Sequence, residues 1–573
     1  MKIKNKINYL LNSRQKIYLI FLLVGSLILT FLEMIGIGSI GIFVAVLSDS
    51  QTFIEKIPFK EIQTYLQKSK IDSLIIFSGI FLISVFLFKN FVIIVYNYFE
   101  LKIRKDITLK ISKETYSNYL YRDINFHKKK NSAELINNIT SKTNNAAQYL
   151  FNLIFIFKEL MLVILLISGL FWLNFNFFMY FLFVISLIST LFYLGIKNII
   201  KKMGKKGLIL EEKRLQSLNE GLGGIKITKV LNAYSFFLKE FVFYHGKRFD
   251  LDLIVKILGL LPRLLLEIFA ILSMTIVTIY LIRINLSLSE ILPQITLISV
   301  IVIRMIPAFT NLSMSLQSLR YMNVAFNDIS NELKKDYKSL NNFDIIDNNF
   351  KNINDINSLA ISNLNFSYEN NNHLIKNLSI EFKKGQMTGL IGNTGSGKTT
   401  LVDIILGLIE PNSGKFIINN KHELKNLKTL NHLVGYVPQE IYLSDTTIIK
   451  NIAFGVSEKD IDIDQVKKVI ELSQLNQFIE SLDEGIYSKV GDRAFRISGG
   501  QKQRIGIARA LYRNPKILIM DESTNSLDEQ TEKTFLKDIK IISKEIITIF
   551  ITHKINNLIY CDVVYKLENG KLN

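Results

Sequence analysis

Up to about residue 320 the chain alternates long apolar runs with Lys/Arg-rich stretches. Six of the apolar runs are long enough to cross ~30 Å of hydrocarbon as helices. They cover roughly 17–48, 73–99, 147–173, 175–199, 253–282 and 286–312. The intervening stretches 100–146 and 200–252 are long, basic and of helical character, which predicts cytoplasmic extensions. The turns at Leu173–Asn176 and Arg283–Leu286 are very short. The leader MKIKNKINYLLNSRQK carries five basic residues and no acid. This places the N-terminus in the cytoplasm, and six crossings return the chain there. The first run is too long, and lacks the following small-residue site, to be a cleaved signal peptide. In the outer loop near 49–72, FIEKIPFKEIQTYLQ reads as an amphipathic interfacial helix or an ordinary surface helix.

The texture then changes. NNFDIIDNNFKNINDINS (341–358) has few apolar residues and no period, so it reads as a linker. Beyond it, short β-rich runs alternate with amphipathic helices, the pattern of an α/β domain. The expected organisation is a membrane α-helical domain over 1–330, a linker over 331–357 and an α/β domain over 358–573.

Composition narrows this reading. The chain has 573 residues and a net charge of +19. That excess could suggest nucleic acid, but apolar spans separate the basic clusters and no nucleic-acid motif accompanies them, so basic loops beside a membrane are expected. The single cysteine, Cys561, cannot form an intramolecular disulfide.

The chemistry is densest in the second half. GNTGSGKTT places Gly392, Gly397, Lys398 and Thr399 in the spacing G-x-x-x-x-G-K-[ST]. The apolar strand MTGLI precedes this loop and the helix TTLVDIILGLI follows it. In such a loop, backbone N–H groups from Gly392, Asn393, Gly395, Ser396 and Gly397 close around phosphate oxygens. Lys398 reaches the β- and γ-phosphates of ATP, Thr399 offers its hydroxyl to Mg²⁺, and Thr400 completes the helix start. Downstream, KILIMDES runs a buried strand into Asp521 and Glu522. This suits a Mg²⁺ ligand followed by the residue that polarises the attacking water.

Between these motifs, residues 497–501 (Ile-Ser-Gly-Gly-Gln) resemble the signature of ATP-binding cassette (ABC) proteins, with Ile497 where Leu is usual. Other cassette motifs follow in the family's order. Tyr368 in NFSYEN looks like the aromatic that stacks on adenine, and Gln439 in GYVPQE like the glutamine that touches Mg²⁺ and water. Val490-Gly491-Asp492-Arg493 is similar to the loop that precedes the signature in exporters. Asn525-Ser526-Leu527-Asp528 resembles the D-loop, with Asn in the usual Ser position. His553 in FITHK resembles the switch histidine that senses the γ-phosphate. The resemblance implies an α/β P-loop ABC ATPase domain joined to six transmembrane helices, a half-transporter that works as a dimer, by expectation a homodimer. Ser498, Gly499, Gly500 and Gln501 would then act on ATP held by the second chain. It further implies that YRDINFHKKKNS (121–132) and LNEGLGGIKITK (218–229) hold short coupling helices.

The cargo must be argued from the membrane half. An ionisable group at a span's centre costs ~2.5–3.5 kcal/mol or more unless it meets a cavity or partner. Lys89, Arg263 and Arg304 each lie roughly 17–19 residues from the outer ends of their spans, or ~25–29 Å at about 1.5 Å per residue. Their shared depth predicts a basic collar for an anionic group, a phosphate or pyrophosphate. The alternative is that they snorkel, or pair with Glu33, Glu159 or Glu267. IRMIPAF, PRLLLE, VFLFKNFVIIVYNYF and VGYVPQEIYLSDTTIIKNIAFG are similar to segments of bacterial flippases for lipid-linked oligosaccharides. That resemblance implies a polyprenyl-pyrophosphate-linked glycan flipped from the inner to the outer leaflet of the bacterial cytoplasmic membrane. A general lipid or drug exporter is the competing transport reading. From another class stands an ATP-gated channel or sensor, against which Glu522 speaks, because such proteins would be expected to carry a degenerate catalytic carboxylate.

Overall fold

A computed structural model describes residues 2–48, 50–55, 70–173, 202–283, 288–334, 355–368, 373–393, 395–424, 427–490, 497–524 and 527–572, with isolated residues between 61 and 67 and at 198–199. The chain divides into two compact units, residues 1–122 with 127–340, and residues 341–573 with 123–126.

The first unit is built from long helices: α1 (Ser13–Ser48), α2 (Ile71–Leu120), α3 (Thr143–Leu173), α4 (Tyr234–Arg283) and α5 (Leu288–Glu332). Among the described residues, Ser13–Ser48, Ile71–Leu120, Ser132–Gly169 and Ile295–Glu332 are long and apolar enough to cross a membrane, and they carry predicted spans one, two, three and six. Span five lies on α4. Most of span four (175–199), of the two short turns, of the outer loop and of the linker lies outside the described residues. Helix α2 has 50 residues. At the rise of an α-helix, that length is more than twice a hydrocarbon thickness, so the helix continues well past the membrane. Helix α4, also of 50 residues, does the same. The segments expected to hold coupling helices contain short ones, at Ile124–Lys129 and Ile225–Val230, the second entered through Gly224.

Two clusters hold the helices together. Ile37, Leu166, Ile301, Val302 and Met305 join α1, α3 and α5. Leu22, Ile107, Ile111, Leu150 and Phe326 join α1, α2, α3 and α5. A Cβ on Gly41 would lie 2.5 Å from the Leu297 side chain. A glycine there permits the close approach of α1 to α5.

In the second unit, β1 (Ser358–Ser367), β2 (His373–Lys383), β4 (Ser413–Ile418) and β5 (His422–Glu423) form an antiparallel sheet ordered β2-β1-β4-β5. The other sheet contains β3 (Met387–Gly392), β6 (Val434–Val437), β7 (Ile517–Asp521), β8 (Ile547–Ile551), β9 (Val563–Glu568) and β10 (Lys571–Leu572). Its order is β10-β9-β3-β8-β7-β6. All its pairings are parallel except β9 with β10. β7 and β8 are buried at every position, which explains their near-continuous apolar sequence. The helices of this unit include α6 (Lys398–Ile405), α7 (Gly499–Tyr512) and α8 (Glu529–Ile542).

Candidate functional site

Strand order creates the site. Met520 pairs with Val437 and Phe550, and Ile551 pairs with Leu390 and Asp521. The carboxyl ends of β6, β7, β8 and β3 are therefore neighbours, although they lie far apart in sequence. Ligands of open parallel sheets bind at such ends.

The loop after β3 wraps back on itself. Gly397 caps α6 at φ +104°, a left-handed conformation natural to glycine. A Cβ on Gly392 would lie 2.3 Å from the Leu567 carbonyl oxygen, so the strand end leaves no room for a side chain. The Ser396 N–H donates to the Asn393 carbonyl at 3.1 Å. Buried Lys398 donates from Nζ to the carbonyls of Gly392 (2.7 Å) and Asn393 (3.0 Å). Burial pushes its pKa down, against the pull of Glu522 and Asp521. Desolvation penalises the charged form of such a group. Gly395, Thr399 and Asn393 are exposed, and Thr400 is buried. Tyr368 is 43 % exposed, edge-on to Phe366, with its hydroxyl 3.4 Å from Thr400 Oγ1.

At the end of β7, Asp521 is buried and its carboxyl is pushed up to about 6. Burial is the main cause, and Glu522 and Asp403 add to it. Next in the chain, Glu522 adopts φ +49°. This is uncommon for a non-glycine residue and a form of strain that recurs at functional sites. Its carboxylate meets a partner on each oxygen. Gln439 Nε2 donates to Oε2 at 2.8 Å, and His553 Nε2 stands 2.6 Å from Oε1. The three residues read from separate motifs as catalytic thus form one chain of contacts. Gln503 Nε2 also donates to the Glu522 carbonyl at 3.4 Å.

Magnesium ATP fits these residues on two counts. The Ser396 hydroxyl is buried and has no hydrogen-bond partner, an orphan that a phosphate oxygen would satisfy. Asp521 titrates high beside Glu522 and Asp403, an excess of negative charge that a dication would relieve.

The signature segment begins α7. Ser498 is its N-cap, and Gln501 completes a reciprocal capping box. The Gln501 N–H donates to Ser498 Oγ at 3.2 Å, and the Ser498 N–H donates to Gln501 Oε1 at 2.9 Å. Two donors that the helix start would otherwise leave unmatched are satisfied in this way. Gly499 and Gly500 form the first turn without side chains. Gly491, Asp492, Arg493, Asn525 and Ser526 lie outside the described residues. Sequence reasoning passed over Gln503 and Asp403. Their signal was a polar residue at a position on the buried face of its helix.

The membrane half corrects one expectation. Lys89 and Arg304, two of the three cations expected to form a collar, are held by a carboxylate instead. Lys89 Nζ lies 3.7 Å from Glu33 Oε1, and Arg304 donates to the same oxygen. Glu33 and Lys89 are each only 7 % exposed. Glu159, also buried, accepts from Asn311 at 3.3 Å, within electrostatic reach of Arg304 and Glu33. Arg263 stands among the exposed residues Leu264 and Leu265 of α4. The physical reason is desolvation: two cations in low dielectric are held by a carboxylate of their own chain. Of the alternatives set out from sequence, pairing with Glu33 accounts for two of the three.

Residues 375–525 match the family model described as ABC transporter. An export ATP-binding/permease protein of Rickettsia bellii (strain RML369-C) is 36 % identical over 231 residues, 39 % of this chain and 40 % of that protein. The matches to proteins of this kind thus span about two fifths of the relatives' length. The heterocyst differentiation ATP-binding protein HepA of Nostoc sp. (strain PCC 7120) is 28 % identical over 452 residues, 77 % of this chain and 71 % of that one. A solved bacterial Atm1-family ABC exporter with ATP bound superimposes with a TM-score of 0.73, covering 98 % of this chain and 94 % of that one at 19 % identity. The chain has the fold of an ABC exporter, a helical membrane domain joined to an ABC ATPase domain.

Proposed function

We propose that this protein is an ATP-driven exporter of a bacterial cytoplasmic membrane, acting as a pair of identical chains. The observation that carries the proposal is the convergence of the phosphate loop, Asp521 and the Gln439–Glu522–His553 chain at the ends of adjacent strands. Thr399, Asp521 and Gln439 would hold Mg²⁺, whose charge stabilises the transferring phosphoryl group when bound. Lys398 and the loop N–H groups orient the phosphates, and Tyr368 offers a face to the base. Glu522 orients and deprotonates the attacking water, with His553 and Gln439 fixing both carboxylate oxygens. Ser498 and its glycines form a helix N-terminus suited to phosphate, and serve the nucleotide of the second chain.

For the cargo, the finer reading is an acidic lipid, a polyprenyl-pyrophosphate-linked glycan, whose head group would displace Glu33 from Lys89 and Arg304. A general amphiphile exporter is the second reading, favoured by the carboxylate that already occupies those cations. Both are tested by Glu522→Gln protein trapped with ATP and analysed for copurifying lipids. A pyrophosphate lipid supports the first reading, and neutral or cationic amphiphiles support the second. Rapid hydrolysis by the variant would overturn the role of Glu522.

A further inference from the structure

An ion-paired cluster of the ATPase half centres on a residue outside every motif, Glu532. Glu532 sits one turn into α8 and is 6 % exposed, although the residues that follow it inward, Phe535, Leu536 and Ile539, are wholly apolar core. A buried carboxylate persists only where it is paired and hydrogen-bonded. Lys554 Nζ reaches both of its oxygens, at 2.9 and 2.8 Å, and Asn557 Nδ2 donates to Oε1 at 2.8 Å. Burial alone pushes the Glu532 carboxyl up, but its donors, led by Lys554, hold it below the usual carboxylate range.

The place of these partners gives the cluster its meaning. Lys554 immediately follows His553, and Asn557 lies in the short helix Ile555–Tyr560 that continues the chain. On the near side, the Lys554 N–H donates to buried Thr552 Oγ1 at 3.0 Å. The turn leaving β8 is thus anchored on both sides of a half-exposed histidine whose Nε2 must meet Glu522. The Glu532 N–H makes the first helical bond of α8, to the carbonyl of its N-cap Asp528.

We infer that Glu532 is a positioning residue for the switch histidine, fixing residues 552–557 through Lys554 and Asn557 so that His553 stays in contact with Glu522. The inference rests on the ATPase reading of the site and adds to it a link between α8 and the histidine turn. A displacement of the order of 1 Å in such a contact can cost up to about a hundredfold in rate.

The test is steady-state ATPase of the full chain in lipid nanodiscs, alongside thermal unfolding. Glu532→Gln keeps the shape of the side chain and removes the charge. Glu532→Gln and Lys554→Met are each expected to lower kcat about tenfold, with KM for ATP changed by less than about twofold. The double variant should fall no further than either single one, and Lys554→Arg should recover most of the rate that Lys554→Met loses. A wild-type kcat in Glu532→Gln overturns the inference. So do losses that appear in KM or in melting temperature and add in the double variant, which mark a merely structural pair. Glu522→Gln serves as the control: if it still hydrolyses ATP, the reading of the whole site fails, whereas a dead Glu522→Gln beside an unaffected Glu532→Gln sinks only this inference.

Discussion

Two carboxylates, Glu522 in the ATPase half and Glu33 in the membrane half, each hold polar partners, and they do opposite things with them. Glu522 stands at a strand end, in a strained backbone conformation, with a half-exposed histidine on one oxygen and an exposed glutamine on the other. Its partners are themselves open to solvent, which suits a group that acts. Glu33 is buried within a helix, and Lys89 and Arg304 come from two other helices to a single one of its oxygens. That arrangement answers charge rather than displaying it. A polar cluster at the carboxyl ends of strands is built to meet a ligand, whereas one between helices first satisfies itself, because low dielectric makes unanswered charge expensive.

The largest expected effect separates the two. Glu522→Gln should lower kcat by about a thousandfold, ~4 kcal/mol of transition-state stabilisation, while ATP still binds. Retained turnover would erase the contrast. Next, Glu33→Gln should leave two cations without their counter-charge and destabilise the membrane half by about 3 kcal/mol. This is the lower end for a broken buried pair, because Arg304 is partly exposed. Thermal melting in detergent measures this, and unchanged melting would mean that the pair contributes little. In the same variant, uptake of an acidic fluorescent lipid should rise relative to a neutral one if the freed cations face the cargo path. Ser498→Ala removes half of a capping box. It should cost about 1 kcal/mol at the start of α7, seen as faster amide exchange there. Smallest of all, Arg263→Ala should change stability by less than about 0.5 kcal/mol, as substitutions on exposed faces do. A large destabilisation would show that Arg263 is paired after all.

Legibility follows the same divide. The phosphate loop could be read because its chemistry is local: strand, glycines, lysine and helix N-terminus lie within about fifteen residues, and backbone geometry alone builds the cradle. Asp521 and Glu522 were legible because a short apolar run ending in acids has few uses. Glu532 was not. Its partners lie beyond the reach of any local motif, and one glutamate at the start of an amphipathic helix looks like any solvated first-turn acid.

By itself, the order of residues determined where the apolar spans run, where the texture changes to strands and helices, and which side chains crowd around a phosphate. Period, length and local backbone chemistry act over a few residues and need no knowledge of the rest of the chain. Only the tertiary structure decided that Lys89 and Arg304 turn to Glu33, and that Gln439, Glu522 and His553 touch. The rotation of one helix against another, and the sequence of strands across a sheet, are settled by packing between distant segments. A single substitution pattern along one element does not encode which way its neighbour faces.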